Sequence, residues 1–179
     1  MKIYIAAASS ALLLAACGGG GGGGNSQANF STMESRGTAL INKIEDQSAT
    51  PVNSMPTTGT ATYSGIAGFA PSINDEIQVL SEASLTANFG ASTIAGSLTN
   101  FRDYENTAIP GTVSIQSGVI SGNQFGADLT GSLTVDGAAA PVNGTIDGGF
   151  VGASGSLIAG IIEGTVGGEY VIGVLGAER

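Results

Sequence analysis

The spacing of apolar residues changes once along the chain, from a helical repeat to a two-residue repeat. Between residues 31 and 46, four apolar side chains recur at helical spacing and form one stripe: Met33, Leu40, Ile41 and Ile44. The stretch opens with Ser31-Thr32-Met33-Glu34, which matches a capping box and predicts a helix start at Ser31. We therefore predict a helix over residues 31–46 and a proline-containing linker that continues to residue 56.

From residue 57 onward, apolar and polar positions alternate as in strands that bury one face. The clearest example is Asp128–Asp136, where one face carries Leu129, Gly131, Leu133 and Val135. Turn residues such as Ser121-Gly122-Asn123 and Gly167-Gly168 separate such stretches. Further strands are predicted near residues 58–69, 78–89, 92–102, 111–116, 119–126, 142–151, 156–166 and 169–177.

Many short, evenly spaced strands indicate an all-β domain. We predict a small closed antiparallel barrel of about eight strands over residues 57–179, preceded by one short amphipathic N-terminal helix. Closure is favoured because an open sheet of low-charge strands would expose edges that aggregate. Glycines inside the strand patterns would permit strong coiling: Gly65, Gly68, Gly96, Gly131, Gly160, Gly164 and Gly173. A membrane-spanning barrel is the alternative. Such barrels carry girdles of aromatic residues at both membrane interfaces, and a chain with 6% aromatic residues does not fit that pattern.

The last predicted strand is apolar on both faces. Tyr170, Ile172 and Val174 alternate with Val171, Leu175 and Ala177. We expect one face to line the barrel interior and the other to pack against the helix stripe, with the tyrosine in the core. An exposed patch there would instead indicate an interface.

Composition excludes several kinds of site. The 179 residues include no histidine, no tryptophan and one cysteine, so a Ser-His-Asp triad, an intrachain disulfide and a multi-thiolate zinc site are excluded. Fourteen acidic residues against five basic residues give a net charge of −9, which disfavours nucleic acid as a partner. An enzyme is not expected, because a carboxylate pair is the only catalytic option and a glycosidase would commonly add aromatic platforms. No cofactor or metal is expected.

The first residues predict a secreted, lipidated protein. Lys2 precedes the apolar stretch 3–14, which is too short to span a bilayer and is typical of a signal peptide. Leu14-Ala15-Ala16-Cys17 resembles the bacterial lipobox, which implies removal of residues 1–16 and lipid attachment at Cys17. The acyl chains would anchor the protein in the membrane, because each buried CH₂ group contributes about 0.8 kcal/mol. An ordinary secretory signal with an incidental cysteine is the alternative.

Seven glycines follow the cysteine, from Gly18 to Gly24. We expect residues 17–30 to comprise the lipidated cysteine and a flexible polyglycine tether. A phosphate-binding loop is disfavoured because its lysine is missing. By analogy with lipoprotein sorting, glycine after the cysteine favours the outer membrane, and we expect the protein to lie at the cell surface.

Five phrases of the strand region together resemble the β-barrel domain of the transferrin-binding protein B family of surface lipoproteins. They are, in chain order, 62–69, 88–98, 148–152, 158–164 and 173–179, with the sequences TYSGIAGF, NFGASTIAGSL, GGFVG, IAGIIEG and GVLGAER. The resemblance implies a barrel fold, surface placement, and ligand contacts in loops outside these phrases. It also implies that this chain corresponds to one barrel, whereas full-length members have two lobes, each a barrel joined to a handle domain.

One loop stands out by composition as a candidate contact surface. Arg102, Asp103, Tyr104 and Glu105 group three charges around a tyrosine in a chain with few charges. Because tyrosine and arginine are frequent interface anchors, we predict that these four residues bind a partner. The segment Ser72–Glu76 adds a second acidic tip. The alternative is that both are simply solvated loops of a barrel.

We therefore expect a lipid-anchored binding protein that serves iron or haem acquisition, or capture of a host protein, through loops at one barrel end. The alternative is a structural envelope lipoprotein that contacts other envelope components and binds no small ligand. Direct haem ligation would need a tyrosine, and Tyr63, Tyr104 and Tyr170 are available. Tyr63 and Tyr170 lie in strand alternation, however, where packed core tyrosines are expected.

Overall fold

The computed structural model of the protein describes residues 27–72 and 75–179. The predicted signal peptide, the lipid-attachment residue Cys17 and the glycine run lie outside the described residues. So do two residues of the second acidic segment, Ile73 and Asn74.

One helix, α1, occupies Phe30–Glu45, close to the predicted span. Its N-cap is Asn29, whose side-chain oxygen accepts a hydrogen bond from the Thr32 amide at 2.9 Å. The predicted capping box at Ser31 was therefore wrong. Asparagine caps helices at least as well as serine, and the earlier start lets Phe30 pack against the apolar cluster beneath the helix.

Eight antiparallel strands form a closed barrel, as predicted, and one additional short strand, β4, pairs only with β3. Each barrel strand pairs with its sequence neighbours, β5 following β3, and β1 pairs with β9. The barrel strands and β4 are β1 (Thr60–Ala70), β2 (Val79–Asn88), β3 (Thr93–Asp103), β4 (Ala108–Ile109), β5 (Gly111–Ser121), β6 (Gln124–Val135), β7 (Ala138–Val151), β8 (Leu157–Val166) and β9 (Glu169–Glu178).

Two of the predicted strands were bounded wrongly. A single strand, β5, replaces the predicted 111–116 and runs on to Ser121, while the predicted strand 119–126 is cut by the turn at Gly122. The cause is a bulge in β5 between Gln116 and Val119, where Ser117 has a φ of +56°. A bulge adds one residue and shifts the alternation, so the pattern reads as two strands.

Side chains fill the barrel interior. Along β6, Phe125, Ala127, Leu129 and Leu133 are buried while Asp128 and Ser132 are exposed, which follows the predicted alternation. At the end of the strand the prediction was wrong, because Val135 is 42% exposed. The largest fully buried side chains of the interior are Tyr63, Phe150, Leu85, Ile94, Leu98, Ile115, Ile146, Ile158 and Ile162. The described interior is therefore a packed core and offers its space to side chains rather than to a ligand.

The helix lies on the outside of the barrel wall, where it contacts β1, β2, β8 and β9. Met33 and Leu40 are buried against Ile66 of β1 and Leu80 of β2, so the predicted stripe does face the barrel. Two exposed ion pairs, Arg36–Glu82 and Lys43–Glu178, flank this contact. Exposed pairs of this kind contribute about 0–1 kcal/mol each, so apolar packing holds the helix.

The last strand divides between these two environments. Leu175 and Ala177 face the barrel interior, and Gly176 lies beneath the helix close to Leu40 and Ile44. Tyr170, at the other end of the strand, is 53% exposed, so its predicted core position was wrong. The position of β9 that contacts the helix, Gly176, is near the opposite end of the strand from this tyrosine.

The outer face of the barrel is largely polar. Asp128, Asp147 and Glu163 are exposed on three consecutive strands, β6 to β8. Carboxylates in the middle of strands are costly on a surface that faces lipid, so the wall is suited to water. Among the described residues, the helices are too short or too polar to cross a membrane.

Candidate functional site

The two ends of the barrel have different structures. One end, here called the rim, carries the connections β1–β2, β3–β4–β5, β6–β7 and β8–β9. The other end, here called the plugged end, is crossed by the segment between the helix and β1, residues 46–59. The candidate contact loop lies at the rim.

The predicted contact loop is a tight turn whose backbone is held by its own hydrogen bonds. Asp103 accepts a hydrogen bond from the Thr107 amide through its carboxylate at 2.7 Å, and its own amide donates to the Thr107 carbonyl at 3.1 Å. The amide of Tyr104 donates to the carbonyl of Gln78 at 3.0 Å, which joins this loop to the β1–β2 connection. Tyr104 and Glu105 therefore project from a fixed support, and the tyrosine is 65% exposed.

Arg102 points back into the fold instead of outward from the loop. Its Nε donates to the side-chain oxygen of Asn100 at 3.4 Å, and Nη1 donates to the carbonyl of Asn106 at 3.2 Å. Its guanidinium is therefore engaged in shaping the loop. Of the four predicted contact residues, Tyr104 and Glu105 are the ones whose side chains the fold leaves open to a partner.

Asn100, a residue that was not among the predicted contact residues, connects the contact loop to the start of the helix. It is buried in β3 with a φ of +51°, and its amide nitrogen donates to the carbonyl of Ala28 at 2.9 Å. Asn106 completes the connection by accepting a hydrogen bond from the Phe30 amide at 3.0 Å. The chain thus joins the fold at the rim. The one signal in the sequence was an asparagine inside a strand pattern, next to a core phenylalanine. Asparagine tolerates positive φ, so it can occupy an irregular position of this kind.

Three exposed apolar side chains lie at the rim on the side nearest the helix start. We call Ile77, Tyr104 and Tyr170 the rim patch; their exposures are 40%, 65% and 53%. Ile77 is positioned over Gly68 of β1, between the strands that lead to the two tyrosines. From β3 through β2 and β1 to β9 is three strand spacings, roughly 15 Å, so the patch is within the reach of one partner surface.

The plugged end is closed by the segment that was predicted to be a simple linker. Ala49 forms a bridge with Val151, and Thr50 is fully buried with its hydroxyl donating to the carbonyl of Gly152 at 2.7 Å. The side chain of Asn123 donates to the Thr50 carbonyl at 2.7 Å, and Met55 joins the interior core. This end is therefore committed to closing the core.

A buried tyrosine secures the plugged end from within. The hydroxyl of Tyr63 donates to the carbonyl of Gly155 at 2.6 Å, and its ring packs against Phe150 with centroids 6.0 Å apart. Burial raises the pKa of Tyr63 above its ordinary value of 10.0, and the charge of Arg179 offsets part of the rise. Tyr63 is thus a core residue, as predicted.

Replacing Tyr63 with phenylalanine is expected to lower the free energy of unfolding at neutral pH by about 1–2 kcal/mol, because a buried carbonyl loses its donor. Wild-type stability should also fall above pH 10, since the unfolded chain then releases a proton that the folded chain retains; the loss ends above the raised folded-state pKa. Urea unfolding across this alkaline range would measure both effects. Tyr104→Phe, at an exposed site, is the matched control, and an equal alkaline decline in wild type and Tyr63→Phe would contradict the assignment.

The three tyrosines considered for haem ligation are dispersed. Tyr63 is buried with its hydroxyl bonded to a carbonyl, while Tyr104 and Tyr170 lie on different sides of the β1–β2 connection. Within the described ranges, no three histidine, cysteine or acidic side chains come together as a candidate metal site. The groups that the rim exposes are aromatic and carboxylate side chains, among them Tyr104, Tyr170 and Glu105.

A hollow lies at the plugged end. It has a volume of about 490 Å³ and is open to solvent. It is lined by short polar side chains and by backbone from the helix end, the segment that follows it, and the β7–β8 connection. It brings no group of ionised side chains together.

Comparison with known proteins identifies the barrel. A family model described as the C-lobe and N-lobe β-barrels of Tf-binding protein B matches residues 55–179. The solved isotype 1 transferrin binding protein B from serogroup B Neisseria meningitidis matches with 21% identity and a TM-score of 0.54, over 73% of this chain and 28% of that chain. Intact Ap-TbpB, with its N and C lobes, matches with 21% identity and a TM-score of 0.52, over the same shares of the two chains. This chain therefore spans 28% of the length of these solved proteins, and at such identity the likeness concerns the fold.

Proposed function

The chain belongs to the family of the C-lobe and N-lobe β-barrels of transferrin-binding protein B, and from this premise we propose that it is a cell-surface module that captures a host protein through its rim. The solved relatives are named for the binding of transferrin, and a host iron-carrier protein is accordingly the first class of partner to test. The observation that carries the proposal is the contrast between the two barrel ends. The plugged end is used for closure, whereas the rim exposes Tyr104 on a loop with a fixed backbone.

Side chains at the rim fit the usual composition of a protein-binding surface. Tyrosine is enriched where one protein anchors on another, because it offers a large contact area at a low cost in conformational entropy. The hydrogen bonds between Asp103 and Thr107, and the bond that the Tyr104 amide donates to the Gln78 carbonyl, hold the loop backbone before a partner arrives. A loop already in its bound shape loses less entropy on binding, which favours affinity.

We further propose that Cys17 is lipidated and that this lipid holds the protein in the outer membrane. Ala28 and Phe30 are bound at the rim, so an anchor upstream would be connected to the rim end of the barrel. Residues 17 to 27 can extend to roughly 35 Å at most. The rim would therefore be held within roughly that distance of the membrane.

A binding experiment with the whole chain tests this proposal. The protein is immobilised through Arg179, which is at the plugged end, and is offered iron-loaded transferrin, haemoglobin, haem and whole serum. We expect saturable retention of one serum protein, and Tyr104→Ala should weaken it by about tenfold or more. Val119→Ala removes an equally exposed apolar side chain far from the rim and should leave retention unchanged.

Two outcomes would contradict the proposal. Retention that is insensitive to Tyr104→Ala would exclude the rim loop as the contact. No retained protein, from a chain shown to be folded, would favour the alternative of a structural envelope lipoprotein. Protease treatment of intact cells provides a second measurement, because capture of a host protein requires the domain to be accessible from outside.

A further inference from the structure

We infer that the rim patch binds a basic protein surface, one whose lysine and arginine side chains pack on the rim tyrosines and pair with the surrounding carboxylates. The inference rests on the proposed function and specifies the chemistry of the partner. It depends on two observations: the exposure of the rim patch, and the unequal distribution of charge between the two barrel ends.

The first observation is that the rim patch is apolar, exposed and supported. Ile77 and Tyr104 are in adjacent connections that are linked by the hydrogen bond between Tyr104 and Gln78. Tyr170 follows the β8–β9 turn on the other side of β1. Both tyrosines are more than half exposed, and an accessible aromatic ring is a group that cationic side chains recognise.

The second observation is that the rim is strongly acidic while the plugged end is nearly balanced. Six carboxylates belong to the rim connections and the strand ends beside them: Asp75, Glu76, Asp103, Glu105, Asp136 and Glu169. Among the described rim residues the single basic side chain is Arg102, and its guanidinium is bound to Asn100 and Asn106. At the plugged end, Glu45, Asp46 and Glu178 are accompanied by Lys43 and Arg179.

This charge pattern selects among possible partners. An anionic lipid surface or a nucleic acid would be repelled by the rim carboxylates. An acidic protein would meet the same repulsion, which weakens its binding and so discriminates against it. A basic protein surface instead gains cation–π contact with Tyr104 and Tyr170 and steering by the acidic residues around them.

A defined probe tests the inference separately from the capture of a serum protein. The probe is a short amphipathic helical peptide of leucine and lysine, and its counterpart carries glutamate in place of every lysine. Both are titrated into the isotopically labelled chain and followed by amide NMR shifts. We expect the lysine peptide to perturb residues 75–78, 103–107 and 169–171 saturably, with an affinity that falls about tenfold or more when salt is raised well above physiological strength. The glutamate peptide should not bind.

Charge-neutral variants separate the rim from the total charge of the protein. Glu105→Gln with Glu169→Gln should weaken binding of the lysine peptide by about tenfold. Asp128→Asn with Glu163→Gln changes the net charge equally, on the barrel wall, and should have no more than a small effect. Tyr104→Ala with Tyr170→Ala should weaken binding even at unchanged charge.

The inference is overturned if the wall variants weaken the lysine peptide as much as the rim variants do, because attraction by net charge would then explain the binding. It is also overturned if the shifts map away from the rim or if both peptides bind equally. Should a serum protein be captured through Tyr104 while the lysine peptide fails to bind, the proposed function stands and this inference alone fails. If the peptide binds at the rim but no serum protein is captured, the rim's preference for a basic surface stands and the proposed capture of a host protein fails.

Discussion

Replacing Phe150 with alanine is expected to lower the free energy of unfolding by about 3–5 kcal/mol. The side chain is fully buried where the segment that plugs the barrel meets the interior. Its ring contacts three other aromatic rings, those of Tyr63, Phe89 and Phe125, with centroid distances of 6.0, 5.7 and 5.7 Å. The large effect is expected because the truncation leaves a cavity and also removes the central member of this aromatic group.

The prediction is measured by urea unfolding of both proteins, followed by far-ultraviolet circular dichroism. Phe150→Leu is the matched variant: it keeps most of the apolar volume, and its cost should be clearly smaller, about 1–2 kcal/mol. If the alanine and leucine variants lose equal stability, the aromatic contacts and not the filled volume decide the effect. A loss below about 1 kcal/mol for alanine would mean that the plugged end does not contribute to the cooperative core.

The fold could be predicted to the level of architecture because its signals are local. Alternation along each strand follows from one buried face, and the turn at Gly122 and the Gly167-Gly168 turn were recognisable from residue type. The prediction failed where geometry departs from simple repetition. The bulge after Gln116 shifts the alternation of β5, and Asn29 offers a second helix cap two residues before the one that matched a motif.

The candidate site was predictable only in part, for a related reason. The composition of the loop identified Tyr104 and Glu105, because charges and an aromatic residue in a turn are visible in one short window. Arg102 was also identified, but it bonds to Asn100 and Asn106, and those two residues are held by Ala28 and Phe30 at the helix start, more than 70 residues earlier in the chain. Contacts across such distances in the chain leave no local pattern.

The plugging segment shows the same limit more strongly. Two prolines and several polar residues made 47–56 look like a connection, yet Thr50 and Met55 are buried in the plugged end. The hydrogen-bond partners of Thr50, Gly152 and Asn123, are more than 70 residues away in sequence. The asymmetry between a closed end and an exposed rim, on which the proposed function depends, was therefore available only from the three-dimensional structure.

Gly65→Ala is the second substitution from which we expect a large effect, a loss of about 3 kcal/mol or more in the free energy of unfolding. A methyl group at this position would overlap the carbonyl oxygen of Gly176 and lie 2.6 Å from the Cα of Ala177. Both are main-chain atoms of β9, which pairs with β1 where Gly65 faces Ala177. Relief would require the backbones of two strands to separate at a point where the barrel is closed, and no side-chain rotation can provide it.

Gly37→Ala is the matched control and should have the opposite sign. A methyl group there would lie 3.5 Å from the nearest atom, Cγ2 of Ile66, which is an ordinary contact. Because alanine favours a helix over glycine by about 1 kcal/mol, this variant should be more stable than the wild type by up to that amount. Thermal and urea unfolding of the two variants would measure the contrast. If Gly65→Ala were as stable as the wild type, the close approach of β1 and β9 at Gly65 and Ala177 would be contradicted, because the two strands would have room for a methyl group. A destabilised Gly37→Ala would instead indicate that the helix is held closer to the barrel wall at Ile66.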